Sequence, residues 1–162
     1  MKYFFAGIKG SGMAGLACML KNLGNDVIGC DDTKVYTFTE DALYENDIKV
    51  YKDAYFLTSD MIFIYTAAIH EDHYAYKKAK ELNCKMYGYF EYIGELTKKY
   101  KTICVAGSHG KTTTTSMFAH VLNSTIGCNY LIGDGTGYAN SKNEFFILES
   151  CEYCRHFLDY NP

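Results

Sequence analysis

A chain of 162 residues is long enough to bury one full core, or one compact domain and part of a second. With 48% apolar residues, abundant aromatics and no low-complexity tract, it has the composition of a folded globular protein rather than a disordered or fibrous one. The net charge of −3 gives no general attraction to nucleic acid or an anionic membrane surface, and the longest apolar stretch, residues 61–69, is far too short to cross a bilayer. Met1 leads almost directly into the strand-like YFFAG, so no export signal is expected and a cytoplasmic location is. In that compartment the seven cysteines read as reduced thiols, several of them packing as small hydrophobes. Cys151 and Cys154 have C-x-x-C spacing with His156 nearby, but no second such cluster completes a zinc site.

In chain order, a strand near residues 2–6 is followed by a helix near 13–22, with Gly24 placed to end it. DVIGC (26–30) is the next strand. TFTE (37–40) has the spacing of a capping box and starts a short helix. MIFIYTA then reads as a buried strand, EDHYAYKKAKELN as an amphipathic helix, CKMYGY as a short strand and FEYIGELTKKY as a helix. Near residue 100 the pattern restarts: TICVAG is a strand, KTTTTSMFAHVLN a helix whose apolar spacing rests on Met117, Val121 and Leu122, and EFFILES a strand. Strand–helix alternation with near-continuous apolar strands predicts a parallel sheet covered on both faces, hence an α/β fold. The expected division is a Rossmann-like domain over residues 1–99 and the incomplete start of a phosphate-loop ATPase domain over 100–162.

Two glycine-rich turns carry the chemistry. Gly10-x-Gly12-x-x-Gly15 lies between a strand and a helix, where a dinucleotide fingerprint belongs, and Asp31 follows about 20 residues later at a strand end, where an acid reads ribose. A ligand-free tight turn is the bland alternative. In GSHGKT (107–112) only Ser108 and His109 separate the glycines, so the loop is tighter than the common phosphate loop. Its backbone N–H groups can still cradle an anion, Lys111 can neutralise β- and γ-phosphate charge, and Thr112 can ligate Mg²⁺. A lysine at a helix start is unfavourable without an anion, which disfavours a merely solvated side chain. Glu149, at the end of the strand FFIL, is the expected Mg²⁺ carboxylate; Glu152 is a weaker candidate. His70 and His73 read as surface residues, His120 as packing or surface, and Tyr87, Tyr89 and Tyr92 as a packing cluster.

The opening FFAGIKGSGMAGLA, the strand end GCD, the segment TAAI, the loop VAGSHGKTTTTSM, the run NYLIGDGTG and the tail ESCEYCRHFLDYNP occur in an order that resembles the Mur ligases, over essentially the whole sequence. The resemblance implies the branch that joins L-alanine to UDP-N-acetylmuramate through an acyl phosphate in peptidoglycan synthesis, with ATP and Mg²⁺ required. It implies that the first turn holds the UDP part of the sugar substrate rather than NAD, through Gly10, Ser11, Gly12 and Met13 on the diphosphate and Asp31, Thr66, Ala67 and Ala68 on the uridine side. ATP is then cradled by Gly107, Ser108, His109, Gly110, Lys111, Thr112 and Thr113, with Lys111 and Glu149 in the catalytic roles and Thr112 and Glu149 on the metal. Ser108 stands where the family often has Thr, and HEDHY follows TAAI where the family often has Asn-Pro. Family members continue past FLDYNP, so this sequence is expected to be an N-terminal piece, inactive alone and prone to self-association. Competing expectations are an NAD(P)-dependent oxidoreductase built on the first turn, a nucleotide-sensing module without activity, and a different Mur-type ligase.

Overall fold

The computed structural model describes residues 1–150 and Tyr160; Cys151, Glu152, Cys154 and His156 lie outside the described residues. The chain is α/β. Strands β1 (Lys2–Ala6), β2 (Asp26–Cys30), β3 (Lys49–Tyr51), β4 (Ile62–Tyr65) and β5 (Lys85–Gly88) form one parallel sheet in the order β3-β2-β1-β4-β5. The helices between them are α1 (Ser11–Asn22), α2 (Thr39–Glu45), α3 (Tyr74–Glu81) and α4 (Tyr89–Thr97). This order reverses direction between β1 and β4, which opens a crevice at their carboxyl ends where such sheets take ligands.

A second sheet, in the order β6-β9-β7-β8, combines β6 (Lys101–Val105), β7 (Asn129–Leu131), β8 (Gly137–Tyr138) and β9 (Phe145–Glu149), with α5 (Lys111–Asn123) after β6. Only the β7–β8 pair is antiparallel. The two sheets share one core: α1 buries Met13, Leu16, Ala17 and Leu20 in the same cluster that holds Leu131, Ala139, Phe146 and Leu148. Close approach makes this possible. A Cβ on Gly15 would meet Leu131 Cδ1 at 2.8 Å, and one on Gly137 would overlap the Gly15 carbonyl.

Several elements arise for reasons the sequence pattern did not give. The capping box at Thr37 is half formed: Glu40 Oε1 accepts from Thr37 N–H at 2.9 Å, but the helix begins at Thr39 and no side chain caps it. The short strands β3, β7 and β8 have no matching sequence expectation; at two or three residues they are defined by their partners rather than by an alternation of their own. Helix α5 spans the expected residues, but of the three expected apolar contacts only Leu122 packs, half-buried against Ala119, Cys128 and Ile147; Met117 is 64% and Val121 59% accessible, and Thr115 and Ala119 are buried. The threonines and serine fit the helix because Thr115 Oγ1 donates to Lys111 O and Ser116 Oγ to Thr112 O, each at 2.8 Å.

With Phe118 and Ile126, the exposed residues make an apolar patch. A Met117→Lys/Val121→Lys double variant is therefore expected to lower exposed-hydrophobe dye binding and self-association. Its unfolding free energy should stay within about 0.5 kcal/mol per site, as for surface substitutions generally; unchanged dye binding would count against the patch.

The amino-terminal strand is pinned by Lys2 Nζ to Asp60 Oδ2 at 2.7 Å. The Lys2 and Thr58 hydrogen bonds lower the Asp60 carboxyl from 3.8 to about 2. A carboxyl depressed in the folded state contributes stability above its unfolded value, and that contribution is lost as pH falls through the folded value. Acid titration should show a loss between pH 3.8 and about 2 that Lys2→Met diminishes; both groups are exposed, so the effect is small.

Candidate nucleotide cradles

The first turn follows β1 and ends at Gly10, the residue before α1. The first helical bond runs from Ala14 N to Gly10 O at 2.8 Å, so the N–H groups of Ser11, Gly12 and Met13 precede the helical ladder at its positive end. Beside this turn lies a cleft of about 360 Å³ lined by residues including Gly7, Gly10, Asp31, Thr66, Ala68 and Tyr74. The structure thus brings Gly10, Asp31, Thr66 and Ala68 of the sequence-derived set to one cavity. Ala67 is exposed beside them, Ser11 and Gly12 are half-buried and Met13 is buried in the core.

The turn is held by Asp31 and by residues that the motif does not include. Lys9 N–H donates to Asp31 Oδ2 at 2.9 Å, Thr39 Oγ1 donates to Lys9 O at 2.7 Å, and Lys9 Nζ pairs with Glu40 Oε1 at 3.0 Å. The Thr37 N–H and the Lys9 ammonium hold the Glu40 carboxyl below its ordinary range. Asp31 Oδ1 also accepts from Thr33 N–H at 2.9 Å, so both oxygens of this acid brace backbone. Gly12 has a packing reason of its own, because a Cβ there would lie 2.6 Å from the Tyr89 hydroxyl.

His73 departs from the surface role expected of it. Its Nδ1 accepts from Ala75 N–H at 3.2 Å and caps α3, and its Nε2 lies 3.0 Å from Asp32 Oδ2. A side chain that accepts from the first turn of a helix can be signalled only by its spacing from that helix, and histidine is not among the usual capping residues.

The second cradle joins β6 to α5. Gly110 is left-handed (φ 72°), a conformation glycine takes without steric cost, and the first helical bond of α5 is Thr114 N to Gly110 O at 2.9 Å. The N–H groups of Lys111, Thr112 and Thr113 therefore precede the ladder here too. Gly107, Ser108 and His109 are exposed, and Lys111 Nζ donates to Gly107 O at 2.6 Å, folding the ammonium over its own loop. Parallel pairing of β6 with β9 sets Val105 opposite Glu149. Thr112 Oγ1 then donates to Glu149 Oε1 at 3.1 Å, and Gly133 N–H donates to Oε2 at 2.8 Å.

The Thr112 hydroxyl and Glu149 carboxylate are hard oxygen donors side by side, a set that suits Mg²⁺, which commonly takes one or two protein oxygens and completes its shell with phosphate and water. No group of three or more His, Cys, Asp or Glu suited to a metal occurs among the described residues. Cys18, Cys30, Cys84 and Cys128 are buried free thiols. No helix among the described residues is long and apolar enough to cross a membrane.

Comparison with known proteins gives a consistent set of relatives. Residues 2–101 match the family described as "Mur ligase family, catalytic domain". The chain is 45% identical over 161 residues to UDP-N-acetylmuramate–L-alanine ligase of Lacticaseibacillus casei, covering 99% of this chain and 37% of the relative. Among solved structures, UDP-N-acetylmuramate:L-alanyl-gamma-D-glutamyl-meso-diaminopimelate ligase from Neisseria meningitides has a TM-score of 0.77 at 29% identity, covering 94% of this chain and 53% of its own. UDP-N-acetylmuramate-alanine ligase MurC from Thermotoga maritima has a TM-score of 0.77 at 26% identity, covering 92% and 37%. The chain thus spans a little over a third of the length of the curated relatives it matches.

Proposed function

Since this chain belongs to the Mur ligase family, we propose that it supplies the two nucleotide cradles of an ATP-dependent ligase that joins L-alanine to UDP-N-acetylmuramate in the cytoplasm. The observation that carries this reading is the presence, in one chain with a shared core, of a glycine turn at the β1/β4 crevice and a Lys-Thr phosphate loop bonded to Glu149. An oxidoreductase needs only the first. The 45% identity to a relative of that name supports the choice of substrates. The division into a UDP-sugar unit (1–99) and an ATP unit (100–162) is part of the same proposal.

In this reading Ser11, Gly12 and Met13 present backbone N–H groups to the UDP diphosphate at the positive end of α1. Thr66, Ala67 and Ala68 form the nucleoside wall, and Asp31 fixes the turn that faces it. Residues Gly107, Ser108, His109, Gly110 and Thr113 cradle ATP phosphates, and Lys111 moves from Gly107 O to the β- and γ-phosphate oxygens. Thr112 and Glu149 would hold Mg²⁺, whose charge offsets that of the phosphates when it is bound.

The reaction transfers the γ-phosphoryl group to a muramyl carboxylate oxygen: the new P–O bond forms as the bond to ADP breaks. The amine of L-alanine then attacks the acyl carbon, loses a proton and expels phosphate. Lys111 contributes by stabilising negative charge on the oxygens around the transferred phosphorus. Separate cradles are tested by titrating Mg-ATP into the chain with and without saturating UDP-N-acetylmuramate. Independent saturation by both is expected, and mutual displacement at one site would overturn the two-cradle reading. For the full-length protein, ADP release should depend on both UDP-N-acetylmuramate and L-alanine.

A further inference from the structure

We infer that Asp32, rather than Asp31, reads the vicinal diol of the nucleoside in the first cleft, with His73 and Tyr74 as its positioning residues; this rests on the UDP-sugar reading of that cleft. Asp31, the acid at the fingerprint position, directs one oxygen to Lys9 N–H and the other to Thr33 N–H, each at 2.9 Å, and so serves the turn. The neighbouring acid lines the same cleft and is held by two side chains: Tyr74 OH donates to Asp32 Oδ1 at 2.8 Å, and His73 Nε2 lies 3.0 Å from Oδ2. Because His73 Nδ1 accepts from Ala75 N–H, the ring proton sits on Nε2 and is donated to the carboxylate.

Each oxygen of either acid carries one hydrogen bond and keeps an acceptor site, but Asp31 is half-buried whereas the Asp32 side chain is 60% exposed, so Asp32 is the one that can receive the hydroxyls of an incoming ribose. The His73 and Tyr74 hydrogen bonds hold its carboxyl below the ordinary aspartate range, because both stabilise the carboxylate form. Charge fixes the orientation of the ligand as well. The α1 N-terminus beside Gly10 attracts phosphate and the Asp32 carboxylate repels it, so a nucleoside diphosphate enters with its sugar hydroxyls on Asp32.

The test compares UDP with 2′,3′-dideoxy-UDP by calorimetry, on the parent chain and on Asp32→Ala and His73→Asn. The parent is expected to prefer UDP by about tenfold or more, as for hydrogen bonds to a charged group. Asp32→Ala should abolish that preference by weakening UDP, with the dideoxy analogue bound at least as tightly as by the parent. His73→Asn, which keeps a helix-capping side chain but loses the contact to Asp32, should reduce the preference without lowering the melting temperature. An Asp32→Ala chain that still prefers UDP as the parent does would overturn the assignment. A parent chain that binds neither analogue would overturn the UDP reading itself, and the assignment with it.

Discussion

Gly137→Val is expected to destabilise the chain by about 3 kcal/mol, the upper part of the usual range for overpacking. The new Cβ would land on the carbonyl of Gly15, and its other near neighbours are also Gly15 backbone, so no side chain can swing aside. Either α1 or the β7–β8 hairpin must move. Both border a cradle: α1 begins at the first turn, and Gly133, between β7 and β8, donates to Glu149. The urea midpoint should fall with the slope unchanged, as it does when stability changes but the surface exposed does not. Gly10→Ala is the control, since its Cβ would meet nothing closer than 3.6 Å and its φ of −59° suits any residue. Equal midpoints for Gly137→Val and the parent would mean that α1 and β8 are not closely packed in solution.

Lys111→Met is expected to weaken Mg-ATP binding by roughly 30- to 150-fold, from the loss of a charged hydrogen-bonding group worth about 2–3 kcal/mol. The side chain is half-buried at the start of α5, and methionine is an unbranched residue with nearly the same helix propensity, so folding should be preserved. Glu149→Gln tests a different part of the site. Glutamine can still accept from Gly133 N–H or Thr112 Oγ1, but it brings no negative charge for a cation. Its ATP affinity should lose most of its dependence on Mg²⁺ while the metal-free affinity changes little. Full Mg²⁺ dependence in Glu149→Gln would remove Glu149 from the metal role.

The parallel sheet was legible because its longer strands are nearly continuous apolar runs, and DVIGC and KTTTTSMFAHVLN match β2 and α5 residue for residue. Elements β3, β7 and β8 were not, since so few residues carry no period and only the pairing partner defines them. Helix α5 shows how a correct boundary can rest on a reason the fold uses only in part: of Met117, Val121 and Leu122, which supplied the expected apolar spacing, only Leu122 packs, and the fold buries Thr115 and Ala119. At the candidate sites, both loops could be found from local spacing, because a strand, a glycine turn and a helix follow one another directly, and Glu149 stood out as the acid that ends an apolar strand. The supports could not. Lys9 reaches Glu40, and His73 reaches Asp32, across intervals of about 30 to 40 residues that only the sheet order closes.

Titration of the chain with UDP-N-acetylmuramate and, separately, with NAD tests the central claim most directly, because the same glycine turn is the predicted seat of either ligand. Saturable binding of UDP-N-acetylmuramate at one site per chain, with no heat from NAD, is the predicted result. Saturable binding of NAD without binding of the UDP-sugar would contradict it and return the first cradle to an oxidoreductase.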